Sequence, residues 1–413
     1  MIPADRPAEV PPGHQTGLGT VLREWGRIGC IGFGGPPAHI ALLRQLCVDR
    51  RRWLDAQEFE DAIGACNLLP GPASTELAIF CAWRVRGRPG AIAGGLAFIV
   101  PGLICILALS ALFLVGTPPV WVRGLGAGAG SAVAAVAVQA GWSLVVPSWD
   151  RARAAGTYRR LRWTLYLLAG AVAAATIGPW LVLVLLGCGA TELAVGQARS
   201  GDKSGLGTAR VPGVAGLAGL AKTAALAKTA ALAAGAGGLA AVAWVAFKVG
   251  ALSFGGGFVI IPLMRADAVG RHWMTSTQFL NAVALGQITP GPVVQTVSAV
   301  GYAAGGLAGG LLAALVAFSP SFAFVLGGAR YFSSLRADRR AQWFLDGAGP
   351  AAIGAIGGSA VLLAAVLRQP WQYAVLAGAL VLLLGLRRGV VLTLLAAAAT
   401  GLAVALAGGP LPG

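Results

Sequence analysis

Two short helix-breaking motifs, Phe33-Gly34-Gly35 and Pro70-Gly71-Pro72, sit in apolar sequence and recur about 220 residues on as Phe254-Gly255-Gly256 and Pro290-Gly291-Pro292. Glycine and proline free backbone N–H and C=O groups from a helix. In apolar surroundings each unsatisfied group costs on the order of several kcal/mol. Such groups either line a protected cavity or are repaired by neighbours at a kink or packing notch; two matching copies favour the cavity, as in many secondary transporters at the substrate site.

The surroundings of the motifs are those of a membrane protein. Of 413 residues, 57% are hydrophobic and 11% charged, with a mean hydropathy of +0.76. Ala91–Val115, Gly124–Val146, Leu181–Val195, Leu311–Leu326 and Val390–Leu406 are long enough, or nearly so, to cross hydrocarbon as helices. Glycine and alanine dominate them and allow close helix packing in lipid. The formal charge of +16 sits in short clusters between apolar spans and is not interleaved with stacking aromatics, so it argues for membrane topology and against nucleic acid.

Laying the halves over each other matches Arg27 with Lys248, Arg44 with Arg265, Trp53 with Trp273, Phe59 with Phe279 and Pro101 with Pro320. Chance is a poor account of so many aligned cations, aromatics and breakers, and the chain reads as a tandem duplication. The expected organisation is a disordered, uncleaved tail at 1–16, a first repeat at 17–196, a Gly/Ala/Ser-rich linker at 197–225, and a second repeat at 226–413.

Arginines set the direction of each half. Arg44, Arg50, Arg51 and Arg52, then Arg84, Arg86 and Arg88, flank residues 62–83 on both sides, which makes that segment a hairpin entering and leaving on the cytoplasmic face. The equivalent connections in the second half carry only Arg265 and Arg271, partly offset by Asp267, and then no charge at Tyr302–Gly310. They read as external. Later connections alternate between basic and charge-poor as this requires. The predicted fold is an all-α polytopic membrane protein of two inverted-topology repeats, with about ten transmembrane helices and one broken re-entrant hairpin per half.

The breaks present helix N-termini, whose bare N–H groups and positive dipole end favour an anion. In the first copy Asn67, Gly71, Ser74 and Thr75 surround the helix breakers Pro70 and Pro72, and in the second Gln287, Gly291, Gln295 and Thr296 surround Pro290 and Pro292. Gly34, Gly35, Gly255 and Gly256 complete the candidate substrate site, with Pro36 breaking the helix after Gly35. Arg27 and Lys248, each six residues before its Phe-Gly-Gly, suit a small dianion between the halves. An alternative is that each snorkels to an interface or pairs internally, Arg27 with Glu24 for instance. Glu76 aligns with Thr296 and either stabilises its helix start or carries a coupling proton; His39, which faces Ile260 in the alignment, is a second candidate for coupling or a satisfied polar contact.

The Phe-Gly-Gly-Pro start, the Trp-Leu…Phe segment and the Asn-x-x-Pro-Gly-Pro hairpin, repeated in one chain, resemble the chromate ion transporter family in its long two-domain form. The resemblance implies a bacterial inner-membrane, multi-pass protein that exports chromate, with sulfate as a similar tetrahedral dianion. It carries site roles onto Phe33, Gly34, Gly35, Pro36, Asn67, Pro70, Gly71 and Pro72, and onto Phe254, Gly255, Gly256, Gly257, Gln287, Pro290, Gly291 and Pro292. Gly257 for Pro36 and Gln287 for Asn67 distinguish the second copy.

No nucleotide-binding motif, hydrolase motif, Rossmann fingerprint or haem-ligating pattern occurs, so no catalytic residue and no cofactor is expected. The six cysteines lie in the first half without a C-x-x-C pair, and read as reduced packing residues with no metal site. The expected partners are the oxyanion and the lipid bilayer; glycine-rich faces leave a homodimer open. A passive anion channel and an integral-membrane enzyme are the rival readings.

Overall fold

The computed structural model describes residues 16–68, 71–114, 118–176, 181–200, 238–253, 260–328 and 338–412. The described chain is helical, with no strand. Seven helices precede the interval at 201–237: α1 (Leu18–Ile31), α2 (Pro36–Arg44), α3 (Ala56–Leu68), α4 (Ala73–Phe113), α5 (Val120–Ala154), α6 (Thr157–Thr176) and α7 (Leu181–Ser200). Seven of the described helices follow it: α8 (Leu239–Ala251), α9 (Ile260–Gly270), α10 (Ser276–Ile288), α11 (Thr296–Gly328), α12 (Arg339–Ala364), α13 (Pro370–Leu380) and α14 (Val390–Leu406). The tail and most of the linker fall outside the described residues, and the first positions assigned to the linker continue α7 to Ser200.

Among the described residues, five segments are long and apolar enough to cross a membrane: Ala73–Phe113, Val120–Ala154, Leu181–Arg199, Val293–Gly328 and Arg339–Ala364. Shorter apolar helices occupy Leu239–Ala251, Pro370–Gly385 and Val390–Leu406. Two of the long segments are interrupted. In α4, Arg86 (φ −144°, ψ 20°) and Gly87 (φ 63°, ψ −154°) leave helical geometry, and in α11 Gly305 (φ −154°, ψ 29°) and Gly306 (φ 60°, ψ −151°) do the same. Ala73–Val85 therefore forms a separate leg of roughly 20 Å, too short for the roughly 30 Å hydrocarbon core. In sequence it follows α3, of similar length, across Pro70-Gly71-Pro72.

Packing links the two parts of the chain reciprocally. The α5 helix receives α13 and α14, while α12 receives α6 and α7; α1 packs on α4, α8 on α11, and α4 on α11. Small residues set these distances, as where Gly124 and Gly128 of α5 lie against Gly401 of α14. Without a hydrophobic drive between helices in lipid, such close contact and polar links do the holding.

One polar link ties three helices. Glu192 of α7, 2% exposed, accepts hydrogen bonds from Arg159 (2.7 Å), Arg162 (2.8 and 3.0 Å) and the Tyr166 hydroxyl (3.1 Å) of α6. Arg159 also reaches Asp346 of α12 at 2.7 Å. Glu192→Gln keeps the shape and removes the charged acceptor. It is expected to cost about 1.5 kcal/mol, measured as a lowered thermal midpoint in detergent.

Candidate functional site

The site grows from the two breaks and from the loop between α1 and α2. Gly34 (φ 99°) and Gly35 (φ 75°) turn the chain through left-handed geometry, and Pro36 opens α2 where its missing N–H costs no hydrogen bond. This turn presents the Gly32 carbonyl inward. Two groups donate to it: His39, seven residues on, through Nε2 at 2.9 Å, and from the distant second half the Gly291 backbone N–H at 3.0 Å. A carbonyl only accepts, so the His39 proton is on Nε2. Nδ1 is then the acceptor for the Ser74 hydroxyl, 3.3 Å away. His39 is fully buried and meets Phe98 edge-on, with ring centroids 5.0 Å apart.

The loop after α1 thus meets the second Pro-Gly-Pro turn at the Gly32 oxygen, and His39 links that oxygen to Ser74 at the start of α4. Gly291 adopts φ 94° to make that turn, and Val293 lies against Gly35. The 3₁₀ turn Val293–Gln295 precedes α11, and Gln295 reaches across to donate to the Ile99 carbonyl of α4 at 2.6 Å. Behind it, α4 comes so close at Gly102 that a Cβ there would overlap the Pro290 carbonyl oxygen and the Gln295 side chain.

The opposite face has a matching arrangement. Glu76, fully buried one turn into α4, lies against the bare Cα of Gly71, and Ser321 of α11 flanks the same glycine. Neither Glu76 oxygen has a hydrogen-bond partner among the described residues, nor do Thr75 Oγ1, Ser321 Oγ, Gln295 Oε1 and Gln287 Nε2. Buried polar atoms are normally satisfied. The open ones here cluster around the two helix breaks.

The remaining candidates divide. Thr296 is buried and turns its hydroxyl to the Val293 carbonyl at 2.8 Å. Pro72 and Pro292 cap the renewed helices, and Pro290 is buried beside Gly102. Asn67 is exposed on the last turn of α3. Pro70, Phe254, Gly255, Gly256 and Gly257 lie outside the described residues.

The two aligned cations have different surroundings. Arg27 is exposed on α1, and its suggested partner Glu24 is engaged by Arg51 at 2.5 Å. Lys248, 8% exposed, pairs with Asp267 of α9, which also meets Arg271 at 3.5 Å. Lys248 is thus paired within the protein, while Glu24 pairs with Arg51 and not with Arg27.

Gly32, Gly102 and Ser321 were missed by the sequence reading. The aligned prolines Pro101 and Pro320 point to the last two, since each immediately precedes one of them.

Fold and site together define a multi-pass helical membrane protein whose broken helices meet in its interior. The chain belongs to the chromate transporter family, whose family model matches residues 19–193 and 240–402. It is 29% identical to a chromate transport protein of Pseudomonas aeruginosa over 351 residues, covering 82% of this chain and 79% of that one. A chromate transport protein of Cupriavidus metallidurans is 28% identical over 346 residues (82% and 80% covered). A probable chromate transport protein of Synechococcus elongatus is 29% identical over 350 residues, with 82% of each chain covered. No solved structure matches the chain. The family and the relatives' names point to a transporter and away from an enzyme.

Proposed function

We propose that the chain exports chromate across a bacterial inner membrane by alternating access, with sulfate as a competing dianion, from a midplane site between the two Pro-Gly-Pro breaks. The observation that carries this reading is the Gly291 N–H bond to the Gly32 carbonyl, 3.0 Å long, which joins the turn of one hairpin to the glycine loop of the other half. The helix starts that follow Pro72 and Pro292 supply N–H groups and dipole ends to an anion.

Two inverted repeats, 17–196 and 226–413, each with five crossings and one hairpin, account for the reciprocal packing of α5 and α12. They also account for the recurring kink geometry at Gly87 and Gly306. Ser74, Thr75, Gly34, Gly35 and Gly71 serve the site from one side. Gln287, Gly291, Gln295, Thr296 and the cluster of Lys248 with Arg271 serve it from the other, with Arg27 attracting the anion at its approach.

The test is purified protein in proteoliposomes, loaded with labelled chromate or sulfate under imposed voltage and pH gradients. A voltage that is negative inside is expected to drive chromate outward against its own gradient. Because voltage alone also moves an anion through a channel against its concentration gradient, counterflow decides: failure of an outward gradient of unlabelled chromate to accumulate labelled chromate inside would identify a passive channel, and absence of flux for both oxyanions would overturn the substrate class.

A further inference from the structure

We propose that Glu76 takes up one proton for each oxyanion bound, and that Gln295 is the permanently neutral occupant of the equivalent position in the other half. The inference rests on the oxyanion site proposed above. It starts from a one-residue shift between the halves.

Simple alignment places Glu76 opposite Thr296, but their side chains do not occupy matching positions. Glu76 lies on Gly71 of its own Pro-Gly-Pro turn and shares that glycine with Ser321 of α11. Gln295 lies beside Gly291 of its own turn, with Nε2 3.4 Å from the glycine's Cβ position, and fills the space at Gly102 of α4. Gly102 and Ser321 each follow a proline, Pro101 and Pro320, inside the long helix of the opposite half. Gln295 is therefore the counterpart of Glu76. The backbone supplies the reason: the second half has one residue fewer between Pro292 and its kink at Gly305 than the first has between Pro72 and Arg86. The 3₁₀ turn Val293–Gln295 recovers the length, because it rises about 2.0 Å per residue against about 1.5 Å for an α-helix.

Carboxylic acid and primary amide are near-isosteres, so the fold accepts a neutral group of this shape at this position. Around Glu76 only the positive end of α4 favours an ionised carboxylate; among the described residues no cationic side chain does. The α1 helix presents Trp25, which donates to the Ala78 carbonyl at 2.8 Å. From α2 comes His39, bound to Ser74, and from α3 the Cys66 thiol. Neither α10 nor α11 contains a charged residue, and α5 carries its charges near its ends. No ion pair reaches Glu76 among the described residues.

A dianion at the start of α4 would add like charge within one turn of this carboxyl. Protonation removes the conflict, and by linkage each ligand then strengthens the other's binding to the same extent. The proton enters a Glu76 oxygen from solution as the oxyanion arrives and leaves when the site empties. Oxyanion affinity is full where Glu76 is protonated in the empty site and falls about tenfold per pH unit once it ionises there.

The experiment measures chromate binding and proton uptake together on purified full-length protein in weakly buffered detergent, with a pH-indicator dye and with sulfate as a second ligand that carries no proton in the neutral range. Wild type is expected to take up about one proton per oxyanion on the alkaline limb. Glu76→Gln is expected to bind with an affinity independent of pH and without proton uptake. Gln295→Glu is expected to add a second proton, steepening the dependence to about a hundredfold per pH unit. Proton uptake persisting in Glu76→Gln, or an unchanged slope in Gln295→Glu, overturns the assignment. A wild type that binds neither oxyanion overturns the oxyanion site instead. The proton site is then read separately from the infrared carbonyl stretch of a protonated carboxylic acid, which Glu76→Gln must remove.

Discussion

Asp267→Ala is expected to destabilise the protein by about 3–5 kcal/mol and to abolish chromate transport. Asp267 is the shared counter-ion of Lys248 and Arg271, and both it and Lys248 are 8% exposed. Removing it leaves a buried ammonium with no acid among the described residues. Arg271 keeps a second anchor in the Trp273 ring, 5.7 Å from its guanidinium carbon, so most of the loss arises at Lys248. The double variant Lys248→Met with Asp267→Leu removes both charges and fills their space with apolar atoms. Its stability is expected to return to the wild-type level or above, since replacing a buried pair by packed hydrophobic residues is often neutral or better. Thermal unfolding in detergent measures this recovery. Transport in proteoliposomes is expected to stay lost in the double variant, because the contact proposed between Lys248 and the oxyanion is then removed. Recovered transport would assign Lys248 to the fold alone.

The same corner shows what the sequence reading reached and what it could not. Arg51-Arg52-Trp53 and Arg271-His272-Trp273 recur in backbone as well as in residue type: Arg52 and His272 both have positive φ, 52° and 57°, and each preceding arginine lies over its tryptophan, at 5.6 and 5.7 Å. The acids holding those arginines do not recur. Glu24 comes from α1 in the first half and Asp267 from α9 in the second, with Val245 and Leu46 standing in the aligned positions. Aligned cations were therefore legible, while their partners required the packing of helices against each other.

The breaks themselves were legible because glycine and proline announce them. What they touch was less so. The oxygen that joins the two halves belongs to the backbone of Gly32 and leaves no side-chain signature. The pairing of Glu76 with Gln295 was hidden by a one-residue deletion that a 3₁₀ turn absorbs, which no count of positions reveals without the turn. Buried groups with no partner, such as Thr75 Oγ1 and Ser321 Oγ, are visible only once their surroundings are known.

Gly102→Ala is expected to cost about 1–3 kcal/mol, as overpacking in a close-packed interior does, and to abolish transport. The added methyl group would overlap the Pro290 carbonyl oxygen, a backbone atom held in the second Pro-Gly-Pro turn, as well as the Gln295 side chain. Backbone in a tight turn cannot rotate away, so the turn as a whole must retreat from α4. That retreat pulls Gln295 from the Ile99 carbonyl and Gly291 from Gly32, severing the contacts that hold the halves together at the site. Gly71→Ala is the informative contrast, because its methyl group would overlap only the far end of the flexible Glu76 side chain and would make ordinary contact with Ser321 Oγ at 3.4 Å. It is expected to lose under about 1 kcal/mol while displacing the carboxyl. Melting temperature and proteoliposome flux, measured on both variants, separate the two effects. Wild-type flux in Gly102→Ala would show that the approach of α4 to the second turn is packing alone, whereas lost flux with the protein still folded places the transport site at that contact.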